Sequence, residues 1–420
     1  MMRTVRFNKI SKLSLLAALL SALFASCKDD NEDETVVDRR NPNSNVISFS
    51  TYTAGATRGT VVDAADIKKN GFYVSAWYDS RLHFKDGASY TEVINGDKIF
   101  DTEATYYWPT LSADKSIDFR AFNISSGGDW VDGNCNSIKF DVKETASAQK
   151  DLVVAYASAT SRPDQGVQPL NFIHALSKIN FSFTGADPEY TYTINRVEVI
   201  AAGKKEAGNP EFKIGETNLW SFDAITTVDH DNPLVNSTGA AQGVLYTYYN
   251  SADSTVKDGT VVNGQTETPF NANFMLLPQT GKIAIRVYYK VEDDGGNLLG
   301  NCGYSKTDGS GNHGVEDGVY GCKTLIVNLG EVIKDEHNNP LGWQAGKSYR
   351  FIITLPTDNF LGDTSGDGVA DESDEGQTED YDGDGDEDKS EFGTDKYIEF
   401  AVKVTPWGDG ENVPATIIIK

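Results

Sequence analysis

Apolar and polar residues alternate along most of this chain in short runs. Every second residue is apolar or aromatic in Val46–Ser50, Ile117–Phe122 and Ile283–Tyr289, which is the two-residue period of a strand with one buried face. Other short apolar or aromatic runs predict further strands: Gly71–Tyr78, Leu152–Tyr156, Ile179–Phe183, Leu325–Leu329, Tyr349–Leu355, Tyr397–Val404 and Thr416–Ile419. No helical periodicity is sustained. Short strands separated by turn signals predict an all-β fold built from β-sandwiches.

Turn residues fix the connection of at least one strand pair. Val93-Ile94 and Lys98-Ile99-Phe100 flank Asn95-Gly96, and Asn-Gly tolerates the positive φ angles of a type I′ hairpin turn. The composition agrees, because 19 Tyr, 20 Phe and 39 Gly accompany only 3 Met. Aromatic residues and glycine favour strands and tight turns over helices.

The first residues follow another pattern. Basic residues precede an apolar stretch over 13–24, about a dozen residues long, which is typical of a signal peptide and too short to span a bilayer. Leu23-Phe24-Ala25-Ser26 then precede Cys27 and resemble the lipobox of bacterial lipoproteins. The resemblance implies a signal peptide over 1–26 and lipidation of Cys27. The alternative is a secretory peptide cut elsewhere, with Cys27 an ordinary thiol.

Length and charge narrow the possible partners. An acidic, polar segment over 27–44 predicts a flexible tether, and the remaining length favours two domains. Residues 28–34 are similar to the acidic tag that sends Bacteroidetes lipoproteins to the cell surface. We find no second apolar run of about 18 residues and therefore expect an outer-membrane lipid anchor without a spanning segment. The net charge of −25 argues against nucleic-acid partners and suits a protein that attracts cations.

Three cysteines remain after Cys27. Cys302 and Cys322 flank a Gly-, Ser- and Asp-rich excursion over 303–321 and could close it as a disulfide in an oxidising exterior. Two free buried thiols are the open alternative. The third is Cys135, which makes the number odd, and the chain contains no CxxC pair that would indicate a zinc ribbon or a redox motif.

Six phrases, spread in order from residue 57 to 407, together resemble the Mfa-like, fimbrillin family of Bacteroidetes surface proteins. Each has an ordinary explanation as aromatic packing in a sandwich core, so it is their order that makes the set specific. They are Thr57-Arg58-Gly59-Thr60, Gly71–Trp77, Tyr106-Tyr107-Trp108-Pro109 with Ile117–Phe122, Leu170–Ile179, Trp343–Phe351 and Val402–Trp407.

The resemblance implies two tandem transthyretin-like β-sandwich domains, over 45–169 and 170–420. It also implies a subunit, anchor or tip of a cell-surface fimbrium that binds other fimbrial subunits by strand exchange. In the family an Arg-specific protease removes the first strand, and a neighbour's strand fills the groove. Here the first strand would be residues 45–53, with Arg58 as the candidate processing site and Arg40 as the other candidate.

Two alternatives stay open at this point. Arg58 could be a structural residue packed on its neighbours. The terminal run Thr416–Ile419 could be the donated strand or an ordinary last strand of the second sandwich.

The sharpest chemistry lies between residues 361 and 395, where 15 Asp or Glu accompany one Lys. The segment 380–391 matches the calcium-loop pattern D-x-D-x-D-G-x5-E. A hard cation prefers many oxygen ligands, and a glycine at the sixth position allows the loop to converge them. The expected ligands are Asp380, Asp382, Asp384, Asp386 through its carbonyl, Asp388 and Glu391.

A second copy of the pattern precedes it by 17 residues. Ser365 replaces the carboxylate at its third position and Asp374 replaces the final Glu, so we expect weaker binding there. Its expected ligands are Asp363, Ser365, Asp367, Val369, Asp371 and Asp374. Because no amphipathic helices flank the loops, the pair resembles the calcium loops of thrombospondin type 3 repeats. The sequence thus predicts two structural calcium ions in an insertion of the second domain; a solvated acidic loop is the alternative.

Nothing in the sequence predicts an enzyme. The five histidines are scattered, and no HExxH, G-x-S-x-G or P-loop occurs. His174 stands in an apolar run, which favours a satisfied core histidine over a ligand. Two functions remain: an adhesive fimbrial subunit or accessory or tip protein, and a non-polymerising surface lipoprotein that binds glycan or protein. The insertions over 303–321 and 361–395 are candidate surfaces for a host or microbial ligand.

Overall fold

The computed structural model describes twelve segments of the chain, and in these the backbone forms 22 strands, two short α-helices and three short 3-10 helices. The described residues are 45–53, 64–94, 97–131, 133–204, 208–225, 243–249, 259–296, 298–301, 321–335, 337–355, 400–406 and 415–419. Strands dominate throughout, as the alternating pattern predicts. No helix among these residues is long and apolar enough to cross a membrane.

Seven strands of the first half form a closed barrel. Their order around the barrel is β1-β4-β3-β2-β5-β8-β9. Neighbours are antiparallel except β1 and β9, which run parallel and close the ring. The strands are β1 (Ser48–Thr53), β2 (Phe72–Tyr78), β3 (Arg81–Ile94), β4 (Asp97–Thr102), β5 (Ile117–Asn123), β8 (Val153–Ala159) and β9 (Val167–His174).

This closure differs from the two-sheet sandwich expected for the first half. Strand β1 pairs with β4 on one side and with β9 on the other. The seven strands therefore form one closed sheet without an edge strand, and not two separate sheets. A helix, α1 (Ala64–Asn70), buries Ile67 in the barrel core. Gly71 ends this helix at φ +74°, and a Cβ there would collide with the carbonyl of Ala88. The residue must therefore be glycine for the chain to turn into β2.

The second half packs two sheets face to face. One sheet has the order β16-β10-β20-β21-β22. The other has the order β14-β11-β17-β18, with β15 also on β11 and β19 also on β17. The bounds are β10 (Ser177–Gly185), β11 (Thr191–Ala202), β14 (Gly243–Tyr249), β15 (Thr260–Asn263), β16 (Thr268–Leu276), β17 (Lys282–Glu292), β18 (Leu298–Asn301), β19 (Gly321–Asn328), helix α2 (Leu329–Val332), β20 (Lys347–Leu355), β21 (Phe400–Pro406) and β22 (Ala415–Ile419).

A small sheet joins the two halves. Its order is β13-β12-β7-β6. Strands β6 and β7 precede β9 in the chain and β12 and β13 follow it, so this sheet pairs strands of the first half with strands of the second. They are β6 (Asp129–Trp130), β7 (Ser137–Lys139), β12 (Glu211–Lys213) and β13 (Leu219–Ser221). The boundary expected between residues 169 and 170 falls inside β9, whose partners are both barrel strands. Pairing changes to the second half between His174 and Ser177.

The barrel wall formed by β5 and β8 separates two hydrophobic cores. Phe119 and Val153 point into the barrel core. Phe122 and Val154 belong instead to the core of the second half. The two cores are therefore packed on opposite faces of the same strands, which holds the halves together.

Candidate functional site

Strand β1 is the element on which a strand-exchange function would depend. It lies parallel to β9, with Ser48 opposite Val167 and Thr53 opposite Phe172. On its other side Phe49 lies opposite Phe100 of β4. The residues before β1 bind the segment that precedes β5, because Ile47 N donates to Tyr106 O at 2.9 Å and Trp108 N donates to Asn45 O at 2.8 Å.

Phe49 anchors β1 in the barrel. Its side chain is completely buried. Its ring meets those of Phe72 and Phe119 edge to face, at centroid distances of 5.8 and 5.5 Å. Ile47, two residues earlier, is buried in the same core. The alternation seen in the sequence thus becomes two apolar anchors on one face of the strand.

The outward face of β1 is fixed by polar contacts. Ser48 Oγ donates to Asp101 Oδ1 at 2.6 Å, and Thr91 Oγ1 donates to Asp101 Oδ2 at 2.8 Å. Without β1, the barrel would lose the bond between Ser48 and Asp101, expose the aromatic side chains around Phe49, and leave backbone groups of β4 and β9 unpaired. Such an open groove is an acceptor for another strand.

The last strand, β22, is the outermost strand of its sheet. It pairs antiparallel with β21, Ile417 lying opposite Val402. Thr416–Ile419 therefore stands as a terminal strand of the second half in this structure, while its use as a donated strand stays a prediction.

Most of the sequence-predicted site residues lie outside the described residues. These are Cys27, Arg40, Arg58, Cys302 and all twelve expected calcium ligands from Asp363 to Glu391. Cys322 is the second residue of β19, opposite Tyr288. Within the described segments, no group of three or more His, Cys, Asp or Glu side chains is arranged to hold a metal ion.

His174 has the structural environment expected of a satisfied core residue. Its Nδ1 lies 2.8 Å from Asp151 Oδ2, and the two side chains are 5% and 0% exposed. Lys178 is buried nearby; burial lowers the pKa of its ammonium group, and the carboxylate of Asp151 opposes that shift. Sequence reasoning found His174 but not Asp151, because nothing in the local pattern marks a buried aspartate 23 residues away.

A second buried ionic cluster was also missed. Arg196 lies over the Tyr288 ring, with its guanidinium carbon 3.7 Å from the ring centroid. Its Nε lies 3.4 Å from Glu198 Oε1, and Tyr288 donates its hydroxyl to Glu198 Oε2 at 3.2 Å. Burial alone would lower the pKa of Arg196, but Tyr288 and Glu198 outweigh it and raise that pKa. The cluster is a structural brace across β11 and β17.

Known proteins similar to this chain were found at two levels, a family model and solved structures. A protein family described as fimbrillin-like matches residues 57–369. A fimbrial protein from Bacteroides vulgatus ATCC 8482 is 12% identical and has a TM-score of 0.46, with 74% of this chain and 95% of that chain covered. A fimbrilin from Porphyromonas gingivalis W83 is 12% identical with a TM-score of 0.36, and 75% and 92% of the two chains are covered. No curated protein matches the chain.

Proposed function

The chain belongs to the fimbrillin-like family, and we propose that it is a cell-surface fimbrial subunit, or an accessory or tip protein, that serves adhesion and assembles by donor-strand exchange. The family match over residues 57–369 carries this proposal. No catalytic role is included, because the candidate chemistry in the sequence is all metal-binding or structural.

In the proposed assembly, an Arg-specific protease cuts after Arg58 or after Arg40. Cleavage after Arg58 would separate β1 from the barrel. A donor strand from another subunit would then lie between β4 and β9 and place large apolar residues at the positions of Ile47 and Phe49. The buried ring contacts of Phe49 support this requirement, because a donor strand without such residues would leave the aromatic core exposed to water.

Attachment and calcium complete the proposal. Cys27 carries the lipid that anchors the chain to the outer membrane until processing releases it. The loops over 361–395 bind two structural calcium ions, one through the carboxylates of Asp380, Asp382, Asp384 and Glu391, and the other through Asp363, the Ser365 hydroxyl, Asp367 and Asp374. Cys302 and Cys322 close the excursion between β18 and β19 as a disulfide.

A non-polymerising surface lipoprotein that binds glycan or protein is the second candidate. One observation favours it: β1 already fills its place in the barrel, and β22 is already paired with β21. A chain that keeps both strands has no need of a neighbour's strand. In that case the insertions 303–321 and 361–395 would carry the binding.

Processing by an Arg-specific protease distinguishes the two functions. The purified chain is treated with the protease, incubated, and examined on unheated denaturing gels, with N-terminal sequencing of every band. The proposal expects ladders whose subunits begin at Gly59 and are lost in Arg58→Gln, or begin at Asn41 and are lost in Arg40→Gln. Arg81→Gln, at an exposed arginine beside the β2–β3 turn, is the matched control. Cleaved chains that stay monomeric, combined with glycan or protein binding by the intact monomer, would favour the second candidate.

A further inference from the structure

Residues 137–149, which we call the arm, leave the barrel between β5 and β8 and have the pattern of a buried strand. Ile138, Phe140 and Val142 are buried, while the intervening Lys139 and Asp141 are exposed. This is the two-residue period of an element with one face in a core. Only residues 137–139 form a regular strand, β7, so the pattern extends beyond the element itself.

The apolar side chains of the arm enter the core of the second half. Ile138, Phe140, Val142 and Ala146 all belong to the cluster that also contains the β10, β11 and β20 side chains. None of the four belongs to the barrel core. The first half of the chain therefore contributes a row of side chains to the interior of the second.

The backbone of the arm pairs with the second half as well. Ile138 lies opposite Phe212 of β12, and Phe140 N donates to Pro210 O at 3.1 Å. Farther along, Glu144 O accepts from Thr247 N at 2.7 Å. Thr247 lies in β14, the outermost strand of one sheet of the sandwich.

The end of the arm reaches the other sheet. Gln149 is almost completely buried, and its Oε1 accepts from Met275 N at 2.7 Å. Met275 lies in β16, the outermost strand of the second sheet. The same amide donates from Nε2 to Lys143 O at 2.9 Å, which braces the arm internally. The arm thus binds an edge strand of both sheets and fills the opening between them.

From these contacts we infer that the arm is a strand donated within the chain: the first half completes the open side of the second sandwich. Uncovered edge strands and an open core are sites of non-native pairing, and the arm satisfies both with its backbone and its side chains. The second sandwich consequently depends on the first half for the protection of β14 and β16.

Hydrogen–deuterium exchange of the intact chain, followed by mass spectrometry, tests this dependence. Val142→Ala removes one buried contact of the arm, and Gln149→Leu removes the acceptor for Met275 N. Both variants should increase exchange in 243–249 and 268–276 about tenfold, while β2 and β3 of the barrel stay within about twofold of the wild type. Ser147→Asp, at an exposed position of the same arm, should change neither region.

The two variants change different contacts of the arm, so the test does not depend on either variant alone. Should Val142→Ala not fold, Gln149→Leu still probes the β16 contact with a side chain of similar size. Wild-type protection of 243–249 and 268–276 in a folded variant, with faster exchange confined to 137–149, would overturn the inference. In that case the arm would contact the second sandwich without stabilising it, and the sandwich would be complete without the arm.

Discussion

The side-chain amide of Asn123 binds the backbone of Val153 and so closes the base of the arm. Asn123 is the last residue of β5 and Val153 the first of β8, and Asn123 Oδ1 accepts from Val153 N at 3.0 Å. The Nδ2 of the same side chain donates to Asp151 O at 3.2 Å. One buried amide therefore fastens the points at which the chain leaves the barrel and returns to it.

Replacing Asn123 with alanine should lower the free energy of unfolding by about 2 kcal/mol, because a buried N–H and a buried carbonyl both lose their partner. Urea unfolding followed by circular dichroism measures the loss. Asn171→Ala is the matched control, since Asn171 lies on the exposed face of β9 and should change stability little. Equal losses in the two variants would show that the amide does not fasten the arm.

The buried pair Asp151–His174 should be strongly coupled. A double-mutant cycle with Asp151→Ala and His174→Leu should give a coupling energy of about 2 kcal/mol, because each single change removes the other group's 2.8 Å partner. The exposed pair Lys143–Asp141, whose side chains are 59% and 49% exposed, is the control. Its coupling should be indistinguishable from zero.

Alternation and turn chemistry predicted much of the fold. The hairpin predicted at Asn95-Gly96 is confirmed by the strand register, because Ile94 of β3 lies opposite Asp97 of β4. Strands predicted around Phe119 and Ile285 are present as β5 and β17. These features depend on residues close in sequence, which is why local patterns reveal them.

The sequence did not predict the features that depend on contacts between residues far apart in the chain. The barrel closes only because β1 runs parallel to β9, more than a hundred residues away, and no local pattern encodes that pairing. The arm was overlooked because Ile138, Phe140 and Val142 form too short an alternation to stand out among polar neighbours. For the candidate site, the sequence located β1 and its apolar positions, while the partners of Phe49 required the structure.

Phe49→Ala should destabilise the barrel by about 3–5 kcal/mol, as expected for truncation of a fully buried aromatic ring. Thermal unfolding and urea midpoints measure the effect. Tyr107→Ala is the control, because that ring is 58% exposed and its loss should cost much less. A loss in Phe49→Ala no larger than in Tyr107→Ala would mean that β1 contributes little to the barrel core.

Stability should fall at alkaline pH through Tyr349. Burial raises the pKa of its hydroxyl to about 12, although the hydrogen bond from Gln344 N opposes the shift. The unfolded chain releases this proton near its ordinary pKa of about 10, whereas the native state retains it. Between pH 10 and 12 the unfolded state therefore binds fewer protons, and this group lowers the unfolding free energy by about 1.4 kcal/mol per pH unit.

Tyr349→Phe isolates that contribution. Its urea unfolding, measured between pH 9.5 and 11, should show a shallower decline than the wild type, with the two curves converging as pH rises. Tyr73→Phe removes the hydroxyl of a partly exposed tyrosine and is the control for the substitution itself. Parallel curves for Tyr349→Phe and the wild type would contradict the assigned origin of the pH dependence.

Calcium titration tests the sequence-predicted loops between 361 and 395. The wild type should bind two ions with dissociation constants of about 10⁻⁴–10⁻³ M, the range of extracellular calcium modules. Glu391→Gln removes the one ligand expected to bind through both oxygens, so isothermal titration calorimetry should then detect one ion instead of two. Glu189→Gln changes an exposed glutamate elsewhere by the same chemistry and should leave two. If the wild type gives no heat of binding at millimolar calcium, calcium has no place in the proposed function. The strand-exchange proposal depends on β1 and Arg58 and would be unaffected.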